Sequence, residues 1–400
     1  MRLVRYLPAP IIILLITLLS VIGPFSTDMY LPGLPEIVNY FQTTEAILNI
    51  TLYGFVFTQA IGILFLGPVS DKYGRKPVLA ASIIGYIISS ICCGFCPNIA
   101  TFIICRLIQG FAAGGLMVIS TALVKDCFEE TVRDKVLTIV MVFSVVGPML
   151  SPILGSWLID AVNWQATLVF PGFLMIAGLI IMLFLGESRP ENEKLTGSIA
   201  SVLKRLPALC KNKQFTFFLI AMSITALPFL AYLSVSSYIM IDGFGISMMA
   251  YSLFLAANVV IGTIAMVIIR KTVEKRSRRL IARLVIILTL ASGVLMLAFG
   301  DTNPFIFIGC FIPSAIAAIT ARPYGLGILM RQYDGDTGSV SALFNFSLIF
   351  LGCIGMIIGT LPWASYITGL GVCILGSGLV ILIAWVLLKA GGMKLKGLEK

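Results

Sequence analysis

The chain has 400 residues, of which 59% are hydrophobic and only 12% are charged, and its mean hydropathy is +1.04. Soluble domains carry about 25% charged residues, so this chain has too little polar surface for a water-soluble globule and is expected to lie in a bilayer. It contains no histidine, which excludes Ser-His-Asp catalysis and HExxH metal sites. Its nine cysteines lack the spacing of a zinc framework, and we expect neither a metal nor a cofactor.

Long apolar runs predict twelve membrane-spanning helices. A hydrocarbon core of about 30 Å requires about 20 apolar residues of helix. Segments that meet this requirement lie near residues 8–30, 45–66, 77–95, 99–123, 136–159, 164–186, 214–241, 247–269, 280–300, 304–330, 338–360 and 365–388. The first segment is too long for a cleavable signal peptide and lacks a small-residue cleavage site. The sequence therefore predicts an all-α membrane protein.

The Lys and Arg residues lie on one predicted side of the bilayer. No Lys or Arg occurs in the loops near residues 31–44, 96–98, 160–163, 242–246, 301–303 and 361–364. The alternate loops and both termini are basic, and cytoplasmic loops carry the excess of Lys and Arg, so both termini are predicted to be cytoplasmic. The net charge of +10 then reflects membrane topology, and we expect no nucleic-acid partner.

A long basic segment after the sixth span divides the chain. We predict an N-terminal six-helix bundle at residues 1–186, a cytoplasmic linker at 187–213 and a C-terminal six-helix bundle at 214–400. Two six-span halves with pseudo-two-fold symmetry are typical of secondary transporters. Within the linker, residues 197–209 predict either a short amphipathic helix on the membrane surface or an irregular connection.

Three ionisable residues lie inside apolar segments: Asp28 in the first span, Arg106 in the fourth and Arg322 in the tenth. Such residues are costly in a bilayer, so each is a candidate functional residue. We interpret Asp28 as a proton carrier and Arg106 as a cation that pairs alternately with Asp28 and with other acceptors. The alternatives are a helix cap or a static pair for Asp28 and a snorkelling arginine for Arg106. Gln109 shares a helix face with Arg106. Arg322 is either a cavity charge or a residue at the membrane surface.

A motif rich in glycine and charge follows the second span. Its residues are Gly67, Asp71, Gly74, Arg75 and Lys76. The two glycines predict a tight reversal between two helices, with Asp71 close to Arg75 or to the N-terminus of a neighbouring helix. We expect such a charge cluster to hold the two halves together in only one state of a transporter.

Two further sets of residues are candidates. Helix kinking and close helix contact are predicted in the fifth span by Gly147, Pro148, Pro152 and Gly155, although an ordinary kinked helix is the alternative. Side chains on spans that would line a central cavity are Tyr30, Tyr53, Gln59, Gln109, Phe229, Tyr232, Asn258, Arg322 and Asn345.

Together these motifs resemble the major facilitator superfamily, and specifically its twelve-span drug:proton antiporters of the bicyclomycin- and chloramphenicol-resistance type. The resemblance covers almost the whole chain and is carried by residues 26–35 (STDMYLPGLP), the motif at 67–77, Arg106 with Gly110, and the fifth-span residues. The chain departs from the family pattern at Ser151-Pro152, where a glycine pair is usual. The equivalent loop of the second half, residues 270–279, is basic but lacks the Gly and Asp positions.

The resemblance implies a monomeric, proton-coupled antiporter that exports small amphiphilic drugs from a bacterial cell by alternating access. Asp28 and Arg106 would couple protons, and residues 67–77 would gate the transporter. Because Asp28 is the single acid deep in a span, we expect neutral or zwitterionic substrates such as phenicol- or bicyclomycin-like compounds. The alternative is a proton-coupled importer or exporter of a small metabolite. An intramembrane enzyme and an ATP-driven pump are disfavoured, since the chain has neither histidine nor a GxxxxGK[ST] loop.

Overall fold

The computed structural model describes residues 7–189, 209–273, 278–332 and 337–390. Twelve helices within these ranges are long and apolar enough to cross a membrane, as the sequence predicts. Spans 1 to 6 are Ala9–Phe41, Glu45–Tyr73, Arg75–Gly94, Ile99–Cys127, Glu130–Ala161 and Trp164–Phe184. Spans 7 to 12 are Lys213–Gly243, Met248–Thr272, Arg279–Phe299, Pro304–Gln332, Val340–Gly359 and Tyr366–Ala390.

Several helices extend beyond their predicted ends. Span 2 continues to Tyr73, so most of the reversal predicted at residues 67–77 is helical, and only Gly74, with a φ of 103°, interrupts the chain. Span 4 continues to Cys127, and span 5 begins at Glu130. The apolar-length criterion stops at the charged residues of these ends. A helix can continue past them because its backbone hydrogen bonds do not depend on side-chain polarity.

Three spans are interrupted within their described length: span 2 at Asn49, between the helices Glu45–Leu48 and Ile50–Tyr73, and spans 1 and 7 as follows. In span 1 an α-helix runs from Ala9 to Asp28, and a 3₁₀ turn, Leu31–Gly33, precedes the helix Leu34–Phe41. Span 7 consists of the helices Lys213–Ser223 and Ala226–Ser237 and ends in a π-helical turn, Tyr238–Gly243. Irregular turns inside long helices are frequent at functional sites. The interruption of span 1 makes Asp28 the last residue of its first helix.

Side-chain caps begin the helices that follow short loops. Asn98, Asn163 and Asn303 each accept a hydrogen bond from the backbone N–H three residues later, at 2.9, 3.0 and 2.9 Å. All three lie in loops that lack Lys and Arg. An asparagine at this position satisfies one of the four unpaired N–H groups of a helix N-terminus.

The helices form two compact units, residues 1–203 and 204–400, with six spans in each. The domain boundaries predicted at residues 186 and 213 stay a prediction. The segment at 197–209 that the sequence marks as amphipathic lies outside the described residues except for Leu209, and the basic tail at 391–400 also lies outside them.

Glycines allow spans 2 and 4 of the first unit to approach through their backbones. A Cβ placed on Gly110 would overlap the carbonyl oxygen of Phe55, and one placed on Gly114 would overlap that of Gln59. Gly110 and Gly114 are four residues apart and form a GxxxG pattern on one helix face, which is typical of close helix pairs in membranes. Gly67, predicted to permit a turn, is instead helical and packs on Val118.

The second unit has its own core. The buried residues that share it include Phe215 and Phe218 of span 7, Val285 of span 9 and Phe344 of span 11. Gly355 of span 11 lies against the carbonyl group of Leu227. Each unit thus combines large buried side chains with glycine contacts between helices.

Replacing Gly114 with alanine is expected to destabilise the first unit. The added methyl group would meet the Gln59 carbonyl oxygen and the backbone of Gly62, neither of which is a flexible side-chain end. Overpacking of this kind costs about 1–3 kcal/mol, more than the roughly 1 kcal/mol that alanine gains over glycine in helix propensity. Thermal unfolding of the purified protein in detergent measures the effect.

The matched control is Gly376→Ala in span 12, because no atom lies within 4 Å of a Cβ at that position. This variant is expected to unfold at or above the wild-type temperature. Equal melting temperatures for the two variants would contradict the packing argument.

Candidate functional site

Arg106 of span 4 is completely buried in the first unit. Its guanidinium donates to the carbonyl oxygen of Ser26 in span 1 at 3.0 Å and to that of Thr51 in span 2 at 3.3 Å. It also donates to Oε1 of Gln109, one turn further along its own helix, at 2.6 Å. The arginine therefore ties three spans together.

Two aromatic rings complete the surroundings of this cation. The guanidinium carbon lies 4.7 Å from the ring centre of Tyr30 and 4.4 Å from that of Phe55. Aromatic faces attract a cation, and the attraction is larger where water is excluded. The Tyr30 hydroxyl lies 3.3 Å from the Thr51 hydroxyl. We call Arg106, Gln109, Tyr30, Thr51 and Ser26 the arginine cluster.

Asp28 ends the helical turn that contains Ser26, whose carbonyl oxygen accepts a hydrogen bond from Arg106. Its carboxylate accepts a hydrogen bond from the hydroxyl of Thr27 at 2.7 Å. Among the described residues, no carboxylate pairs with Arg106, so of the two arrangements that we expect, a pair with Asp28 and binding to other acceptors, this structure has the second. The two side chains are instead linked through the backbone, since Ser26 lies two residues before Asp28.

The fifth span supports this turn. A Cβ on Gly155 would overlap the carbonyl group of Met29, the residue after Asp28, and Gly147 packs beside Val21 and Pro24. Span 5 remains one helix through Pro148 and Pro152. The glycines predicted to permit close contact do so at the segment that carries Asp28.

A second cluster lies where spans 2, 3 and 4 meet at their basic ends. The Arg75 guanidinium pairs with Asp71 at 2.8 Å and with Asp126 of span 4 at 3.0 Å, and it donates to the Ser70 hydroxyl at 2.6 Å. Arg189, just after span 6, also pairs with Asp71. Every partner named here belongs to the first unit, so these contacts brace that unit internally. The expectation that this cluster joins the two halves finds no support in them.

Glu187 caps the N-terminus of span 3. One carboxylate oxygen accepts from the backbone N–H of Arg75 at 2.8 Å and the other from that of Lys76 at 3.1 Å. Gly74 adopts a positive φ and brings its Cα against this carboxylate, where a side chain would not fit. Of the two positions predicted for Asp71, the structure has the one beside Arg75, and Glu187 occupies the helix N-terminus. The ammonium of Lys76 binds the carbonyl oxygen of Leu183 at 3.1 Å.

Three of the predicted cavity residues come together in the second unit. The ring of Tyr232 stacks on that of Phe311 with centres 3.8 Å apart, and the ring centre of Phe229 lies 6.4 Å from that of Phe311. Asn258 donates to the Tyr232 hydroxyl at 3.1 Å. The Asn258 oxygen is buried, and no described residue donates a hydrogen bond to it.

The remaining candidates lie apart from these clusters. Arg322 is exposed and donates to Asn345 at 3.2 Å. Gln59 is buried with its amide nitrogen next to Gly23, and Tyr53 is half-buried. Tyr53 and Gln59 share span 2 with Thr51, which binds Arg106.

The sequence analysis missed several residues that complete the two clusters. They are Ser26, Thr51 and Phe55 around Arg106, and Asp126, Glu187 and Arg189 around Arg75. The second set could have been predicted from the sequence, because charged residues directly after the predicted ends of spans 4 and 6 lie on the same predicted side as residues 67–77. The carbonyl groups of Ser26 and Thr51 could not be predicted as partners of Arg106, because every residue has a carbonyl group.

Comparison with known proteins gives consistent results. A family profile described as Major Facilitator Superfamily matches residues 16–360. The chain is 29% identical to an uncharacterized MFS-type transporter, YdgK, of Bacillus subtilis, over 85% of this chain and 86% of that protein. It is 24% identical to a bicyclomycin resistance protein homolog of Haemophilus influenzae, covering 71% and 72%. It is 30% identical to multidrug resistance protein MdtL of Klebsiella pneumoniae, covering 60% of each chain.

Solved structures with the same fold are transporters. A D-xylose–proton symporter superposes with a TM-score of 0.70 at 16% identity, covering 94% of this chain and 97% of its own. The nucleoside transporter NupG gives 0.73 at 15% identity, covering 95% and 99%. The predicted fold is therefore confirmed. Twelve spans and bacterial relatives make the chain a multi-pass protein of the inner membrane. The orientation of its termini stays a prediction.

The cap on span 3 generates a stability prediction. Glu187→Gln leaves one acceptor oxygen opposite two backbone N–H groups and turns an amide N–H₂ toward the other. An unsatisfied buried donor costs about 1–3 kcal/mol, so the variant is expected to unfold at lower temperature in detergent.

Glu130→Gln is the control, because Glu130 is exposed in the first turn of span 5 and therefore also faces a helix N-terminus. We expect no measurable change there. If both variants lost the same stability, the helix dipole and not the bidentate cap would explain the effect.

Proposed function

The chain belongs to the Major Facilitator Superfamily, and we propose that it is a proton-coupled antiporter that exports small, neutral or zwitterionic amphiphilic drugs across the inner membrane. The observation that carries this proposal is the completely buried Arg106, which is bound to the turn that ends in Asp28. A buried cation and an acid deep in a span are costly and are retained in membrane proteins for function.

Drug export is favoured by the relatives. Two of them are named as a bicyclomycin resistance homolog and a multidrug resistance protein. Such compounds would need aromatic and polar partners, and the second unit holds both types together, since Tyr232 stacks on Phe311 and Asn258 donates to Tyr232; all three are buried in this structure. Phenicol- and bicyclomycin-like molecules combine apolar parts with hydroxyl and amide donors.

Proton coupling is assigned to Asp28. It is the C-terminal residue of its helix, where a negative charge opposes the helix macrodipole and a neutral carboxyl group does not. Gain or loss of a proton therefore changes the stability of the turn between Asp28 and Leu31. We assign Arg106 the role of holding the preceding carbonyl of Ser26 in place, so that this change acts on the irregular segment after Asp28.

The energy of one proton is sufficient for useful export of a neutral drug. One charge that moves through ~150 mV supplies about 3.4 kcal/mol. At about 1.36 kcal/mol per tenfold ratio, this sustains a drug gradient of roughly 300-fold. A second coupled proton is not required by this calculation.

Asp28→Asn is expected to abolish proton-driven export and to preserve drug exchange in the absence of a pH gradient. The amide cannot carry a proton, but it is nearly the same size and can still accept from the Thr27 hydroxyl. Inverted membrane vesicles that contain the protein measure both activities: uptake of external labelled chloramphenicol under an inside-acid pH gradient, and exchange of labelled for unlabelled drug without a gradient.

The control is Asp160→Asn, which removes an exposed carboxylate near the end of span 5 and is expected to leave both activities unchanged. Cells that express Asp28→Asn at the wild-type level and remain fully resistant to chloramphenicol and bicyclomycin would exclude Asp28 from this role. Accumulation of the label in intact cells by the wild type would instead indicate import.

A further inference from the structure

Four of the nine cysteines of the chain lie at the junction of spans 3 and 4. Cys92 and Cys93 are near the end of span 3. Cys96 lies in the loop that follows, and Cys105 lies in the second turn of span 4. The sulfur of Cys96 turns back onto the carbonyl oxygen of Cys92 at 3.0 Å. None of these thiols belongs to the proposed drug or proton sites.

The packing of spans 3 and 4 brings Cys93 and Cys105 to the same level. Nε2 of Gln109 in span 4 donates to the hydroxyl of Ser90 in span 3 at 3.2 Å, and these consecutive spans run in opposite directions. Cys93 follows Ser90 by three residues, about 4.5 Å further along span 3. Cys105 precedes Gln109 by four residues, about 6 Å in the same direction. Residues three or four apart share a helix face, so the two thiols also face each other.

The side-chain contacts agree with this register. The thiols of Cys93 and Cys105 lie within hydrogen-bonding reach of each other. The Cys93 thiol also faces Oε1 of Gln109 at 3.9 Å. Cys92 and Cys96 reach the Cys105 sulfur as well. Cys105 is therefore the thiol on which the other three converge.

Burial gives the two facing thiols different roles. Cys93 is 0% exposed, whereas Cys105 is partly exposed. A small oxidant therefore meets Cys105 first, and Cys93 is the neighbour that can then react with it. An accessible cysteine next to a second, resolving cysteine is typical of redox-sensitive sites. Among the described residues, no group of three or more Cys, Asp or Glu could hold a metal ion, which favours chemistry between two thiols.

The predicted location of the pair also favours oxidation. The loop at residues 95–98 contains no Lys or Arg, so the charge bias predicts that this end of spans 3 and 4 faces the periplasm. Disulfides form and persist in the bacterial periplasm, whereas thiols in the cytosol are kept reduced. The pair thus lies near the compartment in which a disulfide is stable.

We propose that Cys93 and Cys105 form a reversible disulfide when the protein meets hydrogen peroxide. The Cys105 sulfur attacks one peroxide oxygen, the O–O bond breaks, and a sulfenic acid on Cys105 and one water are formed. The Cys93 sulfur then attacks the Cys105 sulfur, the S–O bond breaks, and the second water leaves with the proton of the Cys93 thiol. Two thiols are thus oxidised by two electrons, and one hydrogen peroxide is reduced to two waters.

The disulfide acts on the arginine cluster. It links span 3 to span 4 about one turn from Gln109, and it removes the S–H group that faces the Gln109 oxygen. The same oxygen accepts a hydrogen bond from Arg106 at 2.6 Å. Oxidation therefore changes the surroundings of the buried cation without changing any charge, and thiol–disulfide exchange with a reductant restores them. This effect does not depend on which compound the protein transports.

Peptide mapping of the purified full-length protein after treatment with hydrogen peroxide tests the proposal. Cleavage after Phe95 and Phe102 leaves the cysteines on different peptides. These peptides carry Cys93, Cys96 and Cys105 separately. The wild type is expected to lose two of its nine alkylatable thiols and to yield a link between the first and the third peptide. Both changes are expected to be reversed by dithiothreitol.

Two alanine variants separate Cys93 from Cys92, which is on the same peptide. Cys92→Ala is the matched control and is expected to form the link in wild-type yield. Cys93→Ala replaces one small apolar side chain with another and is expected to lose the link. Cys105→Ala changes a partly exposed position, is expected to lose the link as well, and keeps the test valid if Cys93→Ala folds poorly. Retention of all nine thiols by the wild type, or an equal yield of the link in Cys93→Ala, overturns the proposal.

Discussion

The burial of the Arg106 charge is the constraint on which the first unit depends. A guanidinium removed from water needs acceptors on several sides, and here they are backbone carbonyls of spans 1 and 2, the Gln109 amide and two aromatic faces. These acceptors reach the charge only if the three helices lie close together. Gly110 and Gly114 on the same helix provide that closeness toward span 2. Span 4 therefore carries both the buried charge of Arg106 and the glycines that let span 2 approach it.

The same constraint explains why the turn after Asp28 is confined. Arg106 donates a hydrogen bond to the Ser26 carbonyl oxygen, and Gly155 of span 5 packs against the Met29 carbonyl group. Between these contacts the α-helix ends at Asp28, and the 3₁₀ turn Leu31–Gly33 follows them. In the proposed mechanism, a change of charge on Asp28 would act at this boundary, where the α-helix ends. Span 5 and Arg106 act on the same few residues.

The sequence predicts the fold well and the site only in part. Twelve spans follow from apolar length, and Asp28 and Arg106 stand out because charge is rare in apolar runs. The partners of Arg106 could not be predicted, since the carbonyl groups of Ser26 and Thr51 are identical to every other carbonyl in the chain. Gly67 and Gly74 look alike in sequence, yet one packs inside a helix and the other turns the chain. Only tertiary contacts separate those two roles.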